Sequence, residues 1–227
     1  MGTRAGGIAR QALIAAGVLA LMASGVQAQN RSRGEPGKFD FYILSLSWSP
    51  SYCASVEERS RRDDRQCGSR PFAFVVHGLW PQYERGFPSY CTVPAPRIGR
   101  ALADGMLDLM PSPRLVYHEW DRHGTCSGLS ATAYFDAIRQ ARAKVKIPDA
   151  YSRLEKPTQV SPAEVTENFL KANPSLAPED IAVTCDNKRL TEIRICLGKD
   201  MSFRACPAVT QRACRRDKVV MPAVRGG

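Results

Sequence analysis

The pattern of apolar and polar positions along the chain predicts four strands. Residues 39–48 (FDFYILSLSW) alternate and are rich in aromatic and β-branched side chains, which is typical of a buried strand. Residues 71–77 (PFAFVVH) predict a second strand that runs into Gly78 and ends there. Near the carboxyl end, residues 181–185 and 190–197 predict a strand pair joined by the polar turn between them.

A spacing of three and four between apolar residues predicts helices in the second half of the chain. Residues 131–145 follow this spacing, and residues 161–171 open with a serine, a proline and then glutamate, the pattern of a capping box. The prolines of residues 81–114 favour loops, with a short helix near residues 100–109. The almost wholly charged residues 57–66 predict a solvated loop. The order of elements predicts a single-domain α+β fold, in which helices pack against a central antiparallel sheet.

The start of the chain, residues 1–28, has the pattern of a secretory signal peptide. Arg4 and Arg10 make the start of the chain basic, and residues 12–23 form an uncharged apolar run. A cleavage pattern of small residues follows this run. An uncleaved membrane anchor is the alternative, but this run is shorter than the roughly 20 residues that a span needs. We therefore expect export to the periplasm or the outside medium, and a mature domain of residues 29–227 without membrane attachment.

The charge and the cysteine content of the chain indicate its class of partner and the redox state of its cysteines. Without the leader, 30 basic residues face 22 acidic ones, and the net charge of +8 favours a polyanionic partner such as nucleic acid. All eight cysteines follow the leader, and an even number in an exported chain predicts four disulfides. A zinc site is the alternative, but the chain contains no C-x-x-C pair. Spacing alone leaves the pairing of the cysteines open.

The three histidines are the candidate catalytic groups, because histidine is the side chain that ordinarily titrates near neutral pH. His77 lies in FVVHGLWPQ, and the other two lie in HEWDRHGTC. If this second segment is helical, its imidazoles and charged groups fall within an arc of roughly 140°: His118, Glu119, Arg122 and His123.

These groups suit the cleavage of RNA, in which the ribose 2′-hydroxyl attacks the neighbouring phosphorus. Two imidazoles supply a base for the 2′ proton and an acid for the departing 5′ oxygen, each contributing about 10²–10⁴-fold. Arg122 supplies a fixed cation for the phosphoryl oxygens, and Glu119 can orient an imidazole or the arginine. Trp80, Tyr83 and Phe87 can stack on bases of a single strand. The residues alone do not assign base and acid.

Other interpretations of the same residues are weaker. Each residue taken singly has an ordinary structural role: a histidine at a strand end, a core tryptophan, or a helix ion pair between Glu119 and Arg122. HEWDRH resembles the zinc motif H-E-x-x-H, but its histidines are five positions apart and lie about 140° apart around a helix. A serine hydrolase is disfavoured because the chain has no G-x-S-x-G turn. We therefore expect no metal and no cofactor.

The two segments around the histidines resemble the active-site segments of the ribonuclease T2 family. FVVHGLWP and HEWDRHGTC stand in the family's order, about forty residues apart. The similarity extends to YILSLSWSPSYC near the start and LTEIRICLGKDMSFRACP near the end, so that it covers nearly the whole mature chain. The resemblance implies an α+β fold and the activity of a secreted, metal-independent endoribonuclease that cleaves single-stranded RNA.

The family pattern implies a role for each matched residue. His123 is then the base of the first step, His77 the acid, and His118 the group that holds the scissile phosphate. Glu119 and Arg122 stabilise the charged transition state, although the family usually has lysine where this chain has arginine. The implied base-recognition positions are Trp80, Gln82, Phe87 and Leu115. The implied disulfides are Cys53–Cys67, Cys91–Cys126, Cys185–Cys214 and Cys196–Cys206.

The expected products are 2′,3′-cyclic phosphates and then, by slower hydrolysis, 3′-phosphates. The expected partner is the RNA substrate, bound by a monomer. The alternative is a secreted RNA-binding or toxin-like protein with impaired catalysis, which would bind RNA in excess chelator without cutting it. The intact histidines and Glu119 favour the enzyme.

Overall fold

The computed structural model describes residues 1–2, 33–58, 64–68 and 70–224. The chain from Ser32 to Gly227 forms one compact unit. Of residues 1–31 only 1–2 are described, so almost all of the predicted signal peptide, with its cleavage site, lies outside the described residues.

Strands from both ends of the chain form the sheets. In chain order they are β1 (Phe41–Trp48), β2 (Phe74–Gln82), β3 (Thr158–Val160), β4 (Ile181–Cys185), β5 (Leu190–Leu197) and β6 (Val219–Met221). The central sheet is antiparallel and has the spatial order β2-β1-β5-β4, while β3 and β6 form a separate antiparallel pair. The predicted strand pair near the carboxyl end is confirmed as β4 and β5.

Among the described residues, serine side chains cap the start of two helices. The helices are α1 (Ser49–Glu58), α2 (Asp64–Cys67), α3 (Arg100–Asp104), α4 (Pro113–Arg122), α5 (Ala131–Lys144), α6 (Pro162–Ala172) and α7 (Pro207–Thr210). The Ser130 hydroxyl accepts a hydrogen bond from the third residue of α5, and Ser161 does the same for α6. Among the described residues, no helix combines the length and apolar character that a membrane span requires.

The two faces of the central sheet differ in polarity. Tyr42, Leu44 and Leu46 alternate along β1 and are buried in one large apolar cluster with residues of α5 and α6 such as Phe135 and Phe169. Each buried leucine contributes about 1.5–3 kcal/mol of hydrophobic stabilisation. The opposite face carries a smaller apolar cluster that includes Phe41 and Ile43. Beyond this cluster the same face carries Ser45, Ser47 and Glu192, and the candidate site lies there. This arrangement of helices on an antiparallel sheet confirms the predicted α+β fold.

Two predictions of local structure are wrong. β2 does not end at Gly78 but continues to Gln82, because Gly78 is paired with β1 in the ladder. The charged segment 57–66 is not a loop throughout, since α1 reaches Glu58 and α2 begins at Asp64. A buried hydrogen bond from Gln66 to Ser49 and the Cys53–Cys67 disulfide hold α2 against α1.

The four disulfides that the family resemblance implied are all confirmed. They are Cys53–Cys67, Cys91–Cys126, Cys185–Cys214 and Cys196–Cys206.

Candidate active site

His77 occupies a β-bulge. The register between β1 and β2 shifts between Ser45 and Leu46, so that His77 is an extra residue of β2 without a partner in the ladder. A bulge of this kind bends the strand and re-aims a side chain. The imidazole of His77 is 38% exposed, and its Nε2 lies 3.8 Å from Oε1 of Glu119 on α4. The bulge therefore brings the first segment to the second.

Glycine at position 78 lets two polar side chains approach the strand closely. A Cβ at Gly78 would overlap Oε2 of Glu119 and Nε1 of Trp80. Trp80 Nε1 donates a hydrogen bond of 2.7 Å to this oxygen of Glu119. Burial raises the pKa of Glu119 to about 7, although the charge of His77 and the bond from Trp80 act in the opposite direction. The carboxyl group is therefore close to the midpoint of its titration at neutral pH.

Helix α4 carries most of the second segment. Pro113 stands at its first position, and Trp120 and Glu119 are buried on the side that faces the interior. The assumption that this helix includes residue 123 is wrong by one residue, because α4 ends at Arg122 and His123 is its C-cap. The backbone then enters a 3-10 turn, Gly124–Cys126, and the imidazole of His123 does not continue the helical arc.

His123 is buried against the indole of Trp80. The two ring centroids are 5.4 Å apart, with 31° between the ring planes, and His123 is 7% exposed. Burial lowers the pKa of His123 to about 3, and the positive charge of Arg122 acts in the same direction. His77 contacts the same indole edge-on, with 5.1 Å between centroids. Trp80 thus contacts both imidazoles, and His123 is uncharged at neutral pH.

Helix α4 also carries His118 and Arg122. His118 is exposed on α4, and partial burial together with the charges of Arg122 and His77 lowers its pKa. The Arg122 guanidinium lies 6.0 Å from the ring centroid of Tyr90. Its Nε is buried and has no hydrogen-bond partner among the described residues, so this N–H is available to an anionic ligand.

Sequence reasoning missed two residues of the site, Glu192 and Arg194. Glu192 Oε1 lies 2.6 Å from Nδ1 of His77, and Arg194 donates to Glu192 Oε2 from Nε at 3.0 Å and Nη2 at 2.8 Å. Burial alone would raise the pKa of Glu192, but the bond and charge of His77 and the charge of Arg194 lower it to about 2. Strand alternation places both residues on one face, yet which strand they meet depends on the register of the sheet.

The environment of His77 favours its charged form. Burial alone would lower the pKa of His77, but the hydrogen bond and charge of Glu192, helped by Glu119, raise it above its usual value. The two histidines that contact Trp80 therefore have pKa values displaced in opposite directions.

The predicted base-recognition positions are only partly brought into this cluster. Trp80 lies at its centre. Gln82 is buried at the end of β2 and its amide donates to the Pro81 carbonyl, while Leu115 is half-buried against the core. Phe87 is 47% exposed in the loop after β2. Within the described part of the chain, no hydrogen bond or ring contact joins these last three residues to the histidines.

No metal-binding cluster is present in the part of the chain that the structure describes. No group of three or more histidine, cysteine, aspartate and glutamate side chains there has the arrangement needed to hold an ion.

Comparison with known proteins identifies relatives of this arrangement. The sequence model of the Ribonuclease T2 family matches residues 39–206, which include every catalytic candidate. A ribonuclease of Aeromonas hydrophila is 42% identical over 132 residues, covering 58% of this chain and 58% of that protein. A probable ribonuclease of Haemophilus influenzae is 34% identical over 121 residues, covering 48% and 44%. The match thus spans about half the length of these two relatives.

Solved structures share the fold. An RNase-related protein from Calystegia sepium superposes with a TM-score of 0.66 at 19% identity, covering 82% of this chain and 98% of that chain. RNase NT in complex with 5′-AMP gives a TM-score of 0.64 at 23% identity, covering 82% and 98%. At these identities the likeness establishes the architecture.

Proposed function

The chain belongs to the ribonuclease T2 family, and from this premise we propose that it is an endoribonuclease that cleaves single-stranded RNA without a metal or other cofactor. The observation that carries the proposal is that His77 and His123 converge on one indole, with their ring centroids 5.1 and 5.4 Å from that of Trp80. The pKa of His77 is raised and that of His123 is lowered. Acid–base catalysis needs one protonated and one neutral group at the same pH, and this pair meets that requirement.

In the first step, neutral His123 accepts the proton of the ribose 2′-hydroxyl as this oxygen attacks phosphorus. Charged His77 donates its Nε2 proton to the departing 5′ oxygen, and the P–O5′ bond breaks. The products are a 2′,3′-cyclic phosphate and a free 5′-hydroxyl, with the two histidines left in exchanged protonation states. The electrostatic environments support this assignment, which sequence reasoning from the residues alone left open.

The phosphoryl group is held by the polar side chains around the histidines. Arg122 offers its unpartnered Nε–H to an oxygen of the phosphate, and exposed His118 binds the scissile phosphate from the same helix. Glu119, with its pKa near 7, donates a hydrogen bond in its protonated form to the charged transition state. Arginine in place of the family's usual lysine keeps the charge and adds donors.

In the second step, water opens the cyclic phosphate with the roles exchanged. Neutral His77 accepts a proton from water, and charged His123 returns a proton to the 2′ oxygen, which yields a 3′-phosphate. This step is slower because the attacking water, unlike the 2′-hydroxyl, is not part of the substrate.

Single-stranded RNA is the proposed substrate class. DNA lacks the attacking 2′-hydroxyl, and a splayed single strand gives aromatic side chains access to its bases. We assign base contacts to Trp80, Gln82, Phe87 and Leu115. The net charge of +8 without the leader favours binding of the phosphate backbone, and RNase NT, of the same fold, is known in complex with 5′-AMP.

We further propose that the protein is exported, that residues 1–28 are removed, and that residues 29–227 act as a monomer in the periplasm or outside the cell. Four disulfides support this proposal, because such bonds persist in oxidising compartments.

Digestion of a defined oligoribonucleotide in excess chelator, with analysis of the ends formed, tests the proposal. We expect 2′,3′-cyclic ends first and 3′-phosphates later, and no cut after a position that carries a single 2′-deoxynucleotide. H77A and H123A are each expected to lower the rate by at least about 10²-fold with the fold retained by circular dichroism. Lys171→Ala, an exposed residue of α6, is the control.

Two outcomes would contradict the proposal. Near-normal cleavage by either histidine variant would remove the assigned acid–base pair. Tight binding of RNA by the unaltered protein without any cleavage would instead favour the alternative function, a secreted RNA-binding or toxin-like protein with impaired catalysis.

A further inference from the structure

The contact between His77 and Glu192 spans an entire strand of the sheet. β1 lies between β2 and β5, so the backbones that carry these residues are about 10 Å apart. The intervening positions of β1 are serines: Ser45 pairs with Arg194, and Ser47 pairs with Glu192. Because serine side chains are short, the glutamate and the imidazole can meet above them. The pattern of two serines within an otherwise apolar strand thus has a physical reason.

Arg194 fixes the glutamate in one orientation. Two of its nitrogens hold Oε2 of Glu192, which leaves Oε1 for Nδ1 of His77. The Arg194 guanidinium also lies 5.3 Å from the ring centroid of Trp80, and this cation–π contact anchors it. The carboxylate of Glu192 is buried, so water competes less for its hydrogen bonds.

We propose that Glu192 is a positioning residue of the reaction. Its carboxylate, clamped by Arg194, holds the Nδ1–H of His77 and keeps the Nε2 proton of the imidazole directed at the substrate. This inference rests on the proposed function, in which His77 is the acid of the first step. It extends the site to β5, a strand that neither of the two histidine-containing segments includes.

The arrangement determines which nitrogen of His77 exchanges protons. While Nδ1–H remains bound to Glu192, only Nε2 can lose its proton to the 5′ oxygen and later accept one from water. The other charged or titratable groups that face the imidazole are Glu119 on α4, which favours its charged form, and Arg194, which opposes it. His118 and His123 also lie close enough to interact electrostatically with His77.

Substitution of Glu192 by glutamine separates positioning from a purely structural role. Glutamine removes the negative charge and keeps only one acceptor oxygen, so its NH2 group replaces the acceptor of either the His77 Nδ1–H or the Arg194 guanidinium. The basic limb of the kcat/KM profile reports deprotonation of the acid, so we expect E192Q to move this limb to lower pH by about one unit. We expect kcat to fall at least about tenfold with little change in KM, because the ground-state contacts to RNA remain.

Arg194→Gln provides a second variant with an effect of opposite sign. Removing the guanidinium takes away the cation that opposes protonation of His77, so the basic limb is expected to move to higher pH. Glu164→Gln, the same chemical change at an exposed position in the first turn of α6, is the matched control and leaves the profile unchanged.

Titration of the His77 ring protons by NMR tests the inference without RNA. With only three histidines in the chain, His118→Gln and His123→Gln variants assign the resonances. We expect a lower midpoint for His77 in E192Q and a higher one in R194Q. An unchanged midpoint in folded E192Q, or a uniform loss of activity without movement of the basic limb, would overturn the role of Glu192. Absence of cleavage by the unaltered protein, with the midpoints displaced as expected, would instead remove the proposed function.

Discussion

At the scale of single residues, two identical side chains acquire opposite properties from their surroundings. His77 is bound to an ionised carboxylate that favours its charged form, whereas His123 is buried next to Arg122 and stays neutral. Trp80 contacts both rings. The proposed acid and base therefore reach their working protonation states before any substrate binds, as a consequence of local electrostatics.

The buried neutral state of His123 predicts a loss of stability in acid. In the unfolded chain this residue takes up a proton below about pH 6.5, but the folded protein resists protonation until about pH 3. The unfolded state therefore binds more protons in this window, and stability falls as the pH falls from 6.5 towards 3. Between pH 6.5 and 5 we expect His123→Gln to remove about 1.6 kcal/mol of this loss of unfolding free energy, measured by urea denaturation at both pH values.

The matched control is His118→Gln, because His118 is exposed on the same helix. The His118→Gln substitution should change the difference in unfolding free energy between pH 6.5 and pH 5 far less than His123→Gln does. Glu119 and Glu192 also contribute to the pH dependence of stability, but they titrate in the unaltered protein and in both variants. Subtracting the result for the unaltered protein from that for each variant therefore cancels their contributions. An equal acid-induced loss in the unaltered protein and in His123→Gln would contradict a buried, neutral imidazole.

At the scale of elements, the site depends on an irregularity in a strand. The bulge at His77 takes this residue out of the ladder, and the glycine that follows leaves room for the Glu119 carboxylate and the Trp80 indole. Helix α4 delivers Glu119 from the other side and ends one residue before His123, which frees that imidazole to turn inward. Regular versions of either element would aim these side chains elsewhere.

A methyl group at Gly78 is predicted to disturb both activity and stability. Gly78→Ala places Cβ on the Glu119 carboxylate and Trp80 indole, so we expect a loss of about 1–3 kcal/mol of unfolding free energy. Cleavage of RNA should fall by more than about tenfold, because displacement of Glu119 by even 1 Å disturbs the site. Urea denaturation and initial rates measure the two effects.

Gly99→Ala is the matched control for this substitution. A Cβ at Gly99 meets no atom within 4 Å, and its backbone, with φ of −69°, is one that alanine adopts readily. We expect a stability change of less than about 1 kcal/mol and full activity. Similar losses in both variants would show that the close approach at Gly78 does not matter.

At the scale of the whole molecule, the site is assembled from distant parts of the chain and held by a disulfide. His77, His123 and Glu192 are separated by 46 and 69 residues along the sequence. Cys91–Cys126 joins the loop after β2 to the turn after His123, and the neighbouring Tyr90 N–H donates to the Arg122 carbonyl at 2.8 Å. Cys53–Cys67 instead joins α1 to α2.

Removal of these two disulfides is predicted to have unequal effects on activity. The loops that they close differ in sequence separation, 35 against 14, so the paired serine variants should lose about 4 and about 3 kcal/mol of stability. At a temperature where both variants remain folded by circular dichroism, the Cys91→Ser, Cys126→Ser protein should lose far more of its kcat/KM. An equal fractional loss of kcat/KM in the two proteins would mean that the Cys91–Cys126 disulfide stabilises the fold without positioning the site.

Much of the fold was accessible from the sequence, because it follows from local patterns. The strands β1, β4 and β5 and the helices α5 and α6 lie within two residues of their predicted bounds, since burial imposes periods of 2 and 3.6 on the sequence. The errors occur where tertiary contacts decide the local structure. β2 passes through Gly78 because β1 pairs with it, and α2 forms in a charged segment because a disulfide and a buried hydrogen bond hold it.

The sequence by itself determined the chemistry available to this protein: three imidazoles, Glu119 and Arg122 in two short segments, and eight cysteines to fix them. These are properties of residue type and local order, which the chain carries in any conformation. Only the tertiary structure decided that His77 sits on a bulge, that Glu192 reaches it across β1, and that His123 is buried. Strand register and burial set these contacts, and both arise from packing between residues far apart in the chain, so no local pattern contains them.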